Sequence, residues 1–414
     1  MINPTLEFLY GLHNRGIKLG LKNIESFLKI CGNPHKEIQT IHLAGTNGKG
    51  STASIISKIL QKNGYKVGLY TSPHLIHFNE RVRIDGVPIS NESIIEFIEK
   101  HKQTLINSSI TFFEATTALA FEYFAKQKVD IAIIETGLGG RLDSTNVLSP
   151  IQTIITEIHY DHTHILGDSI EEITAEKCGI FKNNTPSITI NSDKRVIDTI
   201  KEHASLKRSE VSFIEKEDII VENQTSESIS FHYDNQHFSL PQTGSYQTQN
   251  AVLAIKTCQT NFNTLTEKDI QLGLDQWCWP GRMQLMKPDF FYDVAHNKNG
   301  IGILVKDLKK IYNEKPIGVL VLKKDKINPE LIDMVSKAFD RLIISTVPSK
   351  DILNKEEITN NPLLQKFEFI DNLHEAMTII DKAEHSGGKV IFGSHYIAKD
   401  VYNFFDFSFD NGII

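Results

Sequence analysis

Short apolar runs alternate with amphipathic stretches along the first half of the chain. IHLA (41–44), KVGLY (66–70), VDIAIIET (129–136), IQTIITEI (151–158) and PSITI (186–190) read as strands. Between them, SIIEFIEKHKQTLI (93–106) and ATTALAFEYFAK (115–126) read as helices. This alternation predicts a parallel sheet flanked by helices. Near 229–240 the texture changes to ISFHY, DNQ, HFSL, alternating residues around a polar turn. That pattern predicts a β-hairpin, an antiparallel addition to the sheet. After WPGRMQ (279–284) a second set of strands begins: FFYDV (290–294), IGVLVL (317–322), RLIIST (341–346), FEFI (367–370) and KVIF (389–392). The block is about the size of one α/β domain. The boundary is placed at Pro280-Gly281, giving domains 1–281 and 282–414. No internal repeat or low-complexity segment interrupts either block.

Composition narrows the function classes. The 414 residues are 40% hydrophobic and 23% charged, with a formal net charge of -7, so no global basic field points to nucleic acid. Cys31, Cys178, Cys258 and Cys278 are scattered with no CxxC pair, which fits a reducing compartment and argues against a disulfide framework or a zinc ribbon. The first residues, MINPTLEFLYGL, lack a basic region followed by an apolar stretch, so no signal peptide is expected. No apolar run is long enough to span a bilayer. The expected setting is the cytoplasm and the expected partners are small molecules, with neither nucleic acid nor membrane.

The stretch IHLAGTNGKGST (41–52) runs strand, glycine-rich turn, helix. Glycines let backbone N–H groups converge on phosphate oxygens, and the helix N-terminus adds a favourable dipole. Lys49 supplies a point charge for the β- and γ-phosphates, and Ser51 a hydroxyl for Mg²⁺ or phosphate. The spacing departs from GxxxxGK[ST], with the lysine one place early. ATP brings Mg²⁺, which prefers oxygen ligands. These belong at strand C-terminal ends, where open α/β sheets bind ligands. Glu135 closes VDIAIIE, an acid ending a buried strand; on residue type alone it is a metal ligand, a helix N-cap or a surface acid. Ser72 in YTSPH, taken alone, is turn chemistry. HYDHTHILGD (159–168) packs three histidines and two aspartates after a strand, without a nearby cysteine to suggest zinc. Lys177 sits in the last turn of a helix, where a lysine ordinarily serves the dipole and solvent.

The motifs AGTNGKGST, TSPHL, FNERVRIDG, IETGLGGRLDSTN, DHTHILG, AEKCGIF, WPGRMQ and YDVAHN occur in the order seen in folylpolyglutamate and dihydrofolate synthases of the Mur ligase superfamily. The stretch GIKLGLKNIESFLKICGNP (16–34) also resembles that family, and the resemblance covers nearly the whole chain. It accounts for the unusual phosphate loop, since GTNGKG is the family's form. It implies an α/β fold: an N-terminal phosphate-loop three-layer α/β ATPase domain with a small antiparallel addition, and a smaller C-terminal Rossmann-like α/β domain.

The resemblance also implies roles. Thr46, Asn47, Gly48, Lys49, Gly50 and Ser51 would hold the ATP phosphates, joined by Asn250, Arg282, Asp293 and His296. Ser72 and Glu135 would bind one Mg²⁺ and His162 a second; a monovalent cation is an optional addition. Lys177 matches a lysine carbamylated by CO₂ in the family, and Lys49, Glu135, His162 and Lys177 form the catalytic set. A pterin site would draw on Lys18, Leu19, Gly20 and Leu21, on Thr111, Phe112, Phe113 and Glu114, and on Leu142, Asp143 and Ser144. Phe113 would stack on the ring and Asp143 pair with its amino-pyrimidine edge; the alternative reads Phe112 or Phe113 as core. The sequence departs from the family's usual form at Tyr246, His395, DVAHN and AEKCGI, without removing a proposed ligand.

The implied reaction is ATP-dependent addition of L-glutamate to 7,8-dihydropteroate and to folates through an acyl phosphate. A monomer is expected. Folylpolyglutamate synthase activity alone, a cell-wall Mur ligase and a nucleotide-dependent switch ATPase are the competing readings. Arg81 and Arg83 would either steer anionic substrate groups or lie on a solvated strand face.

Overall fold

The computed structural model describes residues 2–16 and 20–407. The first sheet contains β1 (Thr40–Ala44), β2 (Val67–Tyr70), β3 (Val82–Ile84), β4 (Val87–Pro88), β5 (Ile131–Glu135), β6 (Gln152–Ile155), β7 (Ser187–Thr189) and β8 (Val211–Phe213). Their order is β4-β3-β2-β5-β1-β6-β7-β8. From β2 to β8 all neighbours run parallel, and β3 and β4 add an antiparallel edge. The register sets Leu43 opposite both Glu135 and Ile154, so β1, β5 and β6 end level with one another. Every residue of these three strands is buried, as expected of parallel strands covered on both faces.

The predicted strands and helices are present with small shifts at their ends. The helices Lys22–Ile30, Asn91–Asn107 and Phe112–Gln127 bury one apolar cluster against the sheet, including Phe27, Phe97, Phe121, Phe124, Ala132 and Ile134. Gly68 leaves room for the Phe124 ring, which would lie 2.9 Å from a Cβ there. The helix Phe112–Gln127 starts at a capping box in which Thr111 and Glu114 exchange hydrogen bonds. The helix Lys49–Lys62 packs on β1, β2 and β5.

Helix Glu267–Leu274 lies so close to Lys49–Lys62 that a Cβ at Gly273 would sit 2.5 Å from the Ile59 Cα. Gly273→Ala gains up to about 1 kcal/mol of helix propensity. It also forces two backbones apart, and such overpacking costs about 1–3 kcal/mol. A net loss of about 1–2 kcal/mol is expected in urea unfolding with an unchanged m-value; equal or greater stability would refute the close-packing argument.

One compact unit runs to Ile219 and includes Gln249–Gln276; the other comprises Ile220–Thr248 and the chain from Trp277 onward. The hairpin read at 229–240 exists as β10 (Ile229–Tyr233) and β11 (Gln236–Leu240). It does not join the first sheet, which corrects the expectation of an addition there. It pairs with β9 (Ile220–Gln224) as a separate three-stranded sheet, and its inward Phe231 and Phe238 rings pack on one another. The sequence-based division at 281/282 assigned this segment to the first domain, whereas it groups with the second unit.

The second unit's larger sheet is β12 (Gln284–Lys287), β13 (Phe290–Asp293), β14 (Ile317–Val321), β15 (Arg341–Thr346), β16 (Glu368–Asn372) and β17 (Lys389–Phe392). Its order is β12-β13-β17-β14-β15-β16, parallel apart from the β12 edge. Among the described residues, no helix is long and apolar enough to cross a membrane.

Candidate active site

The level ends of β1, β2, β5 and β6 determine what meets. After β1 the chain turns through Gly45–Gly48 into the helix that begins at Lys49. Gly48 caps this helix at φ 87°, in the left-handed region, and a Cβ on it would lie 2.2 Å from Asn250 Oδ1. Both constraints require glycine. They also place Asn250 beside the loop, where its Oδ1 accepts a hydrogen bond from Thr52 Oγ1 at 3.4 Å. The N–H groups of residues 49–51 open a helix and have no acceptor within it, so they face an anion site.

The loop is braced from β6. The Glu157 carbonyl accepts from Thr46 N at 2.8 Å and Asn47 N at 3.2 Å, and Thr46 Oγ1 donates to the His159 carbonyl at 3.1 Å. The Thr46 and Asn47 backbone amides are thus turned to Glu157, while residues 48–51 carry the phosphate-facing part. The Glu157 carboxylate is held by Lys216 and His159; burial alone would raise its pKa, but these two partners draw it down to about 2. Glu157 was not singled out from the sequence, although the rule that flagged Glu135, an acid at the end of a buried strand, applies to it equally.

Two lysines converge on the Gly45 carbonyl. Lys49 Nζ lies 3.1 Å from it and 3.3 Å from the Thr46 carbonyl, and Lys177 Nζ donates to it at 2.9 Å. Lys49 Nζ is also 4.0 Å from Glu135 Oε1, and Glu135 Oε2 accepts from Ser72 N at 3.0 Å. Lys177 reaches this point from helix Ile170–Cys178, whose start is fixed by a Ser169–Glu172 capping box. Burial, then the charge of Lys49, lowers its pKa to about 7. A lysine in a last helical turn ordinarily points to water; here the turn faces the phosphate loop and Lys177 is 4% exposed. His162 is half-exposed and holds a left-handed backbone (φ 50°), with its N–H on Asp161 Oδ1 at 2.9 Å. Strain of this kind in a non-glycine residue is a mark of functional loops. Asp161, one of the two aspartates of HYDHTHILGD, adds negative charge felt by Lys177.

Glu135 and Ser72 supply a carboxylate and a hydroxyl for one expected Mg²⁺, and His162 an imidazole for the second. The fit is supported by Glu135 itself, a buried carboxylate at a strand end with Lys49 as an ionic neighbour.

The proposed pterin residues fall into three groups. Lys18 and Leu19 lie outside the described residues; Gly20 and Leu21 lead into helix Lys22–Ile30. Phe112 is core: it stacks on His13 at 3.9 Å, meets Phe78 edge-on, and lies under Arg81 at 5.3 Å. Phe113 is partly buried beside Tyr70 and over Gly137, where a Cβ would lie 2.4 Å from its ring. Glu114 Oε2 accepts from Thr111 N and Oγ1, while Glu114 Oε1 is buried without a hydrogen-bond partner. Asp143 accepts four hydrogen bonds, from Gly137 N, Leu138 N, Thr145 N and Thr145 Oγ1. Those fill the acceptor capacity of a carboxylate. Asp143 therefore shapes its own loop, and a direct pairing with a pterin edge has no lone pair left to use. Leu142 is half-buried in the same loop and Ser144 Oγ bonds Thr117 Oγ1 at 3.0 Å. The solvated-face reading of Arg81 and Arg83 is overturned: both are buried, with Arg81 Nε on His74 Nδ1 and Arg83 on the Gly86 carbonyl.

In the second unit, Asp293 is buried and accepts from Met283 N, Ala295 N and Tyr246 OH at 2.7, 2.6 and 3.1 Å. Burial raises its pKa, against Arg282 and these bonds. Tyr246, a departure from the family's usual residue, thus occupies an organising role at this turn. Arg282 Nη1 donates to the Gly281 carbonyl and His296 Nδ1 lies 3.0 Å from the Val294 carbonyl.

A phosphate loop at the switch point of a parallel sheet, with a lysine and a buried acid at adjoining strand ends, defines a nucleotide-binding α/β protein of the phosphate-loop type. Residues 43–258 match the Mur ligase middle domain. The Bacillus subtilis dihydrofolate synthase/folylpolyglutamate synthase is 32% identical over 95% of this chain and 96% of its own length. The folylpolyglutamate synthase of Thermotoga maritima superposes with a TM-score of 0.83 at 33% identity, covering 97% of each chain. A bifunctional folylpolyglutamate synthase/dihydrofolate synthase solved with Mn, AMPPNP and L-glutamate superposes with a TM-score of 0.83 at 26% identity, over 96% of this chain and 97% of the other. The chain belongs to the Mur ligase family, in its branch of folylpolyglutamate and dihydrofolate synthases.

Proposed function

We propose that this chain is an ATP-dependent ligase that adds L-glutamate to 7,8-dihydropteroate and to the γ-carboxylate of folates. The observation that carries the reading is the convergence of Lys49 and Lys177 on the Gly45 carbonyl of the phosphate loop, with Glu135 4.0 Å from Lys49 Nζ. It is supported by the names of the full-length relatives and by the nucleotide and glutamate held by one of them.

A carboxylate is a poor acyl donor because it cannot expel oxide. The γ-phosphate is therefore transferred to it, giving an acyl phosphate and ADP; the glutamate amine then attacks the carbonyl and phosphate leaves. Phosphoryl transfer demands positioning and charge neutralisation. The N–H groups of residues 48–51 and Lys49 bind and orient the phosphates. Ser72 and Glu135 would hold one Mg²⁺ and His162 a second, ions that when bound neutralise phosphate charge. Lys177, as its carbamate, would add a negative group facing that site; the N–C bond forms from the neutral amine and CO₂ with loss of a proton. Asn250 lines the loop, and the nucleotide roles of Arg282, Asp293 and His296 rest on the motifs WPGR and YDVAHN. Phe113 and the partnerless Glu114 Oε1 are the residues best placed for a pterin ring and its amino-pyrimidine donors. The reading includes a cytoplasmic monomer.

ADP release with Mg-ATP and L-glutamate, measured with 7,8-dihydropteroate or tetrahydrofolate in turn and with products identified by mass, tests the proposal. Glutamate addition to both is expected. Addition to tetrahydrofolate alone would remove the dihydropteroate activity, and turnover with neither would refute the folate reading.

A further inference from the structure

Away from the phosphate loop, three side chains that the reaction does not use meet at one point. Cys31 ends helix Lys22–Ile30, His101 lies in Asn91–Asn107 and Glu122 in Phe112–Gln127. Cys31 Sγ is 3.8 Å from His101 Nε2, and His101 Nε2 is 2.8 Å from Glu122 Oε2; one donor atom from each residue lies within 4.8 Å of the others. Phe113, at the loop end of the third helix, precedes Glu122 by nine residues, about 13–14 Å along a helix axis. The cluster is thus remote from the strand ends.

The shared nitrogen decides what this cluster is built for. A Cys-His-acid relay needs the thiol on one ring nitrogen and the carboxylate on the other. Here both converge on Nε2, the arrangement of ligands around a common ion. Burial also pushes the Cys31 thiol up to about 12, the wrong direction for a nucleophile. A tetrahedral Zn²⁺ spaces its sulfur and nitrogen ligands about 3.5 Å apart, close to the separation found, and its nitrogen and oxygen ligands about 3.3 Å apart, so binding would open the 2.8 Å His101–Glu122 hydrogen bond. Phe27 and Phe97 wall the imidazole at 5.4 and 4.8 Å, and His101 is 5% exposed, which holds the ring in place.

We propose that Cys31, His101 and Glu122 form a binding site for a thiolate-preferring divalent cation of the Zn²⁺ class, a staple joining three helices. Binding converts the Cys31 thiol to a metal-bound thiolate and releases its proton to solvent. The fourth position is left to water. The groups facing the site include one opposing charge, Lys100, whose Nζ holds Glu122 Oε1 at 2.8 Å. Lys100 is over half exposed and can swing to solvent, leaving Glu122 Oε2 for the ion. The other candidate cluster, Glu222, His232 and His237, is exposed at all three residues and offers no thiolate.

The test is Co²⁺ titration of the full chain after chelator treatment. The expected result is one equivalent giving a thiolate-to-cobalt charge-transfer band, displaced by Zn²⁺, lost in Cys31→Ser and retained in His237→Asn. The ligands named at the nucleotide site are oxygens and an imidazole, without a thiolate, and give no such band, so the two sites are distinguishable. Lys100→Ala, on an exposed side chain, is expected to tighten binding by removing the competing cation, and Glu122→Gln to weaken it. Absence of the band, its survival in Cys31→Ser, or a Co²⁺ affinity unmoved by both Lys100→Ala and Glu122→Gln would overturn the proposal.

Discussion

Lys177→Met is expected to lower glutamate-dependent ADP release by about 10²–10³-fold, the usual cost of removing one preorganised charged group from an active site. The side chain is buried and its Nζ lies 2.9 Å from the Gly45 carbonyl, within the phosphate loop. Its pKa, lowered by burial and then by Lys49 to about 7, makes the neutral amine abundant at physiological pH. That is the form that reacts with CO₂. Activity of the unsubstituted enzyme should therefore rise through pH 7 and fall when dissolved CO₂ is stripped. The effect of Lys177→Met on stability has the opposite sign from its effect on activity. The folded-state pKa lies below the unfolded value of about 10.4, so the unfolded chain binds more protons between about pH 7 and 10.4. Stability contributed by this group then increases with pH across that window, and at neutral pH the buried amine is a cost. Lys177→Met removes that cost, so the variant should unfold no earlier than the original. Inactivity with an intact thermal transition is the expected pair of results. Activity within a few-fold of the original would refute a role for this residue.

Lys49→Met is expected to reduce the rate of the phosphoryl-transfer step by a similar factor, about 10²–10³-fold, read as ADP formed in a single turnover. The ammonium is tethered to two loop carbonyls and to Glu135, so it stands at the phosphates without a search. Lys49→Arg should fail to restore the rate, because a planar fork does not replace a compact point charge in this turn. Lys49 is also one cause of the lowered Lys177 pKa. Its removal should move the CO₂-dependent activation in Lys49→Met toward higher pH. A pH profile unmoved by the substitution would separate the two lysines and contradict their convergence on Gly45.

Strand positions were legible because parallel strands buried on both faces are continuous apolar runs, a one-dimensional signal. The phosphate loop was legible for a similar reason: its glycines, lysine and flanking strand are contiguous. The hairpin's turn could be read from DNQ, but not its partner. Ile220–Gln224 is mostly exposed, so its sequence carries no apolar alternation, and the hairpin went to the wrong sheet. Arg81 and Arg83 read as surface charges, since nothing local reveals the His74 and Phe112 that receive Arg81. Asp143 shows the limit most plainly. Its carboxylate was read as free to pair with a ligand, but its four donors come from both sides of a folded loop, and only their number shows that the carboxylate is already occupied.

The sequence by itself determined the α/β alternation, the phosphate-loop chemistry and, through ordered motifs, the family. Each of these is written in contiguous residues, where spacing along the chain stands for spacing in the molecule. Tertiary structure decided what depends on residues distant in sequence: the ionic environment of Lys177, the bracing of the loop by Glu157, and the meeting of Cys31, His101 and Glu122. Desolvation and charge–charge terms act through space over a few ångströms, and no local pattern encodes which side chains burial will bring that close.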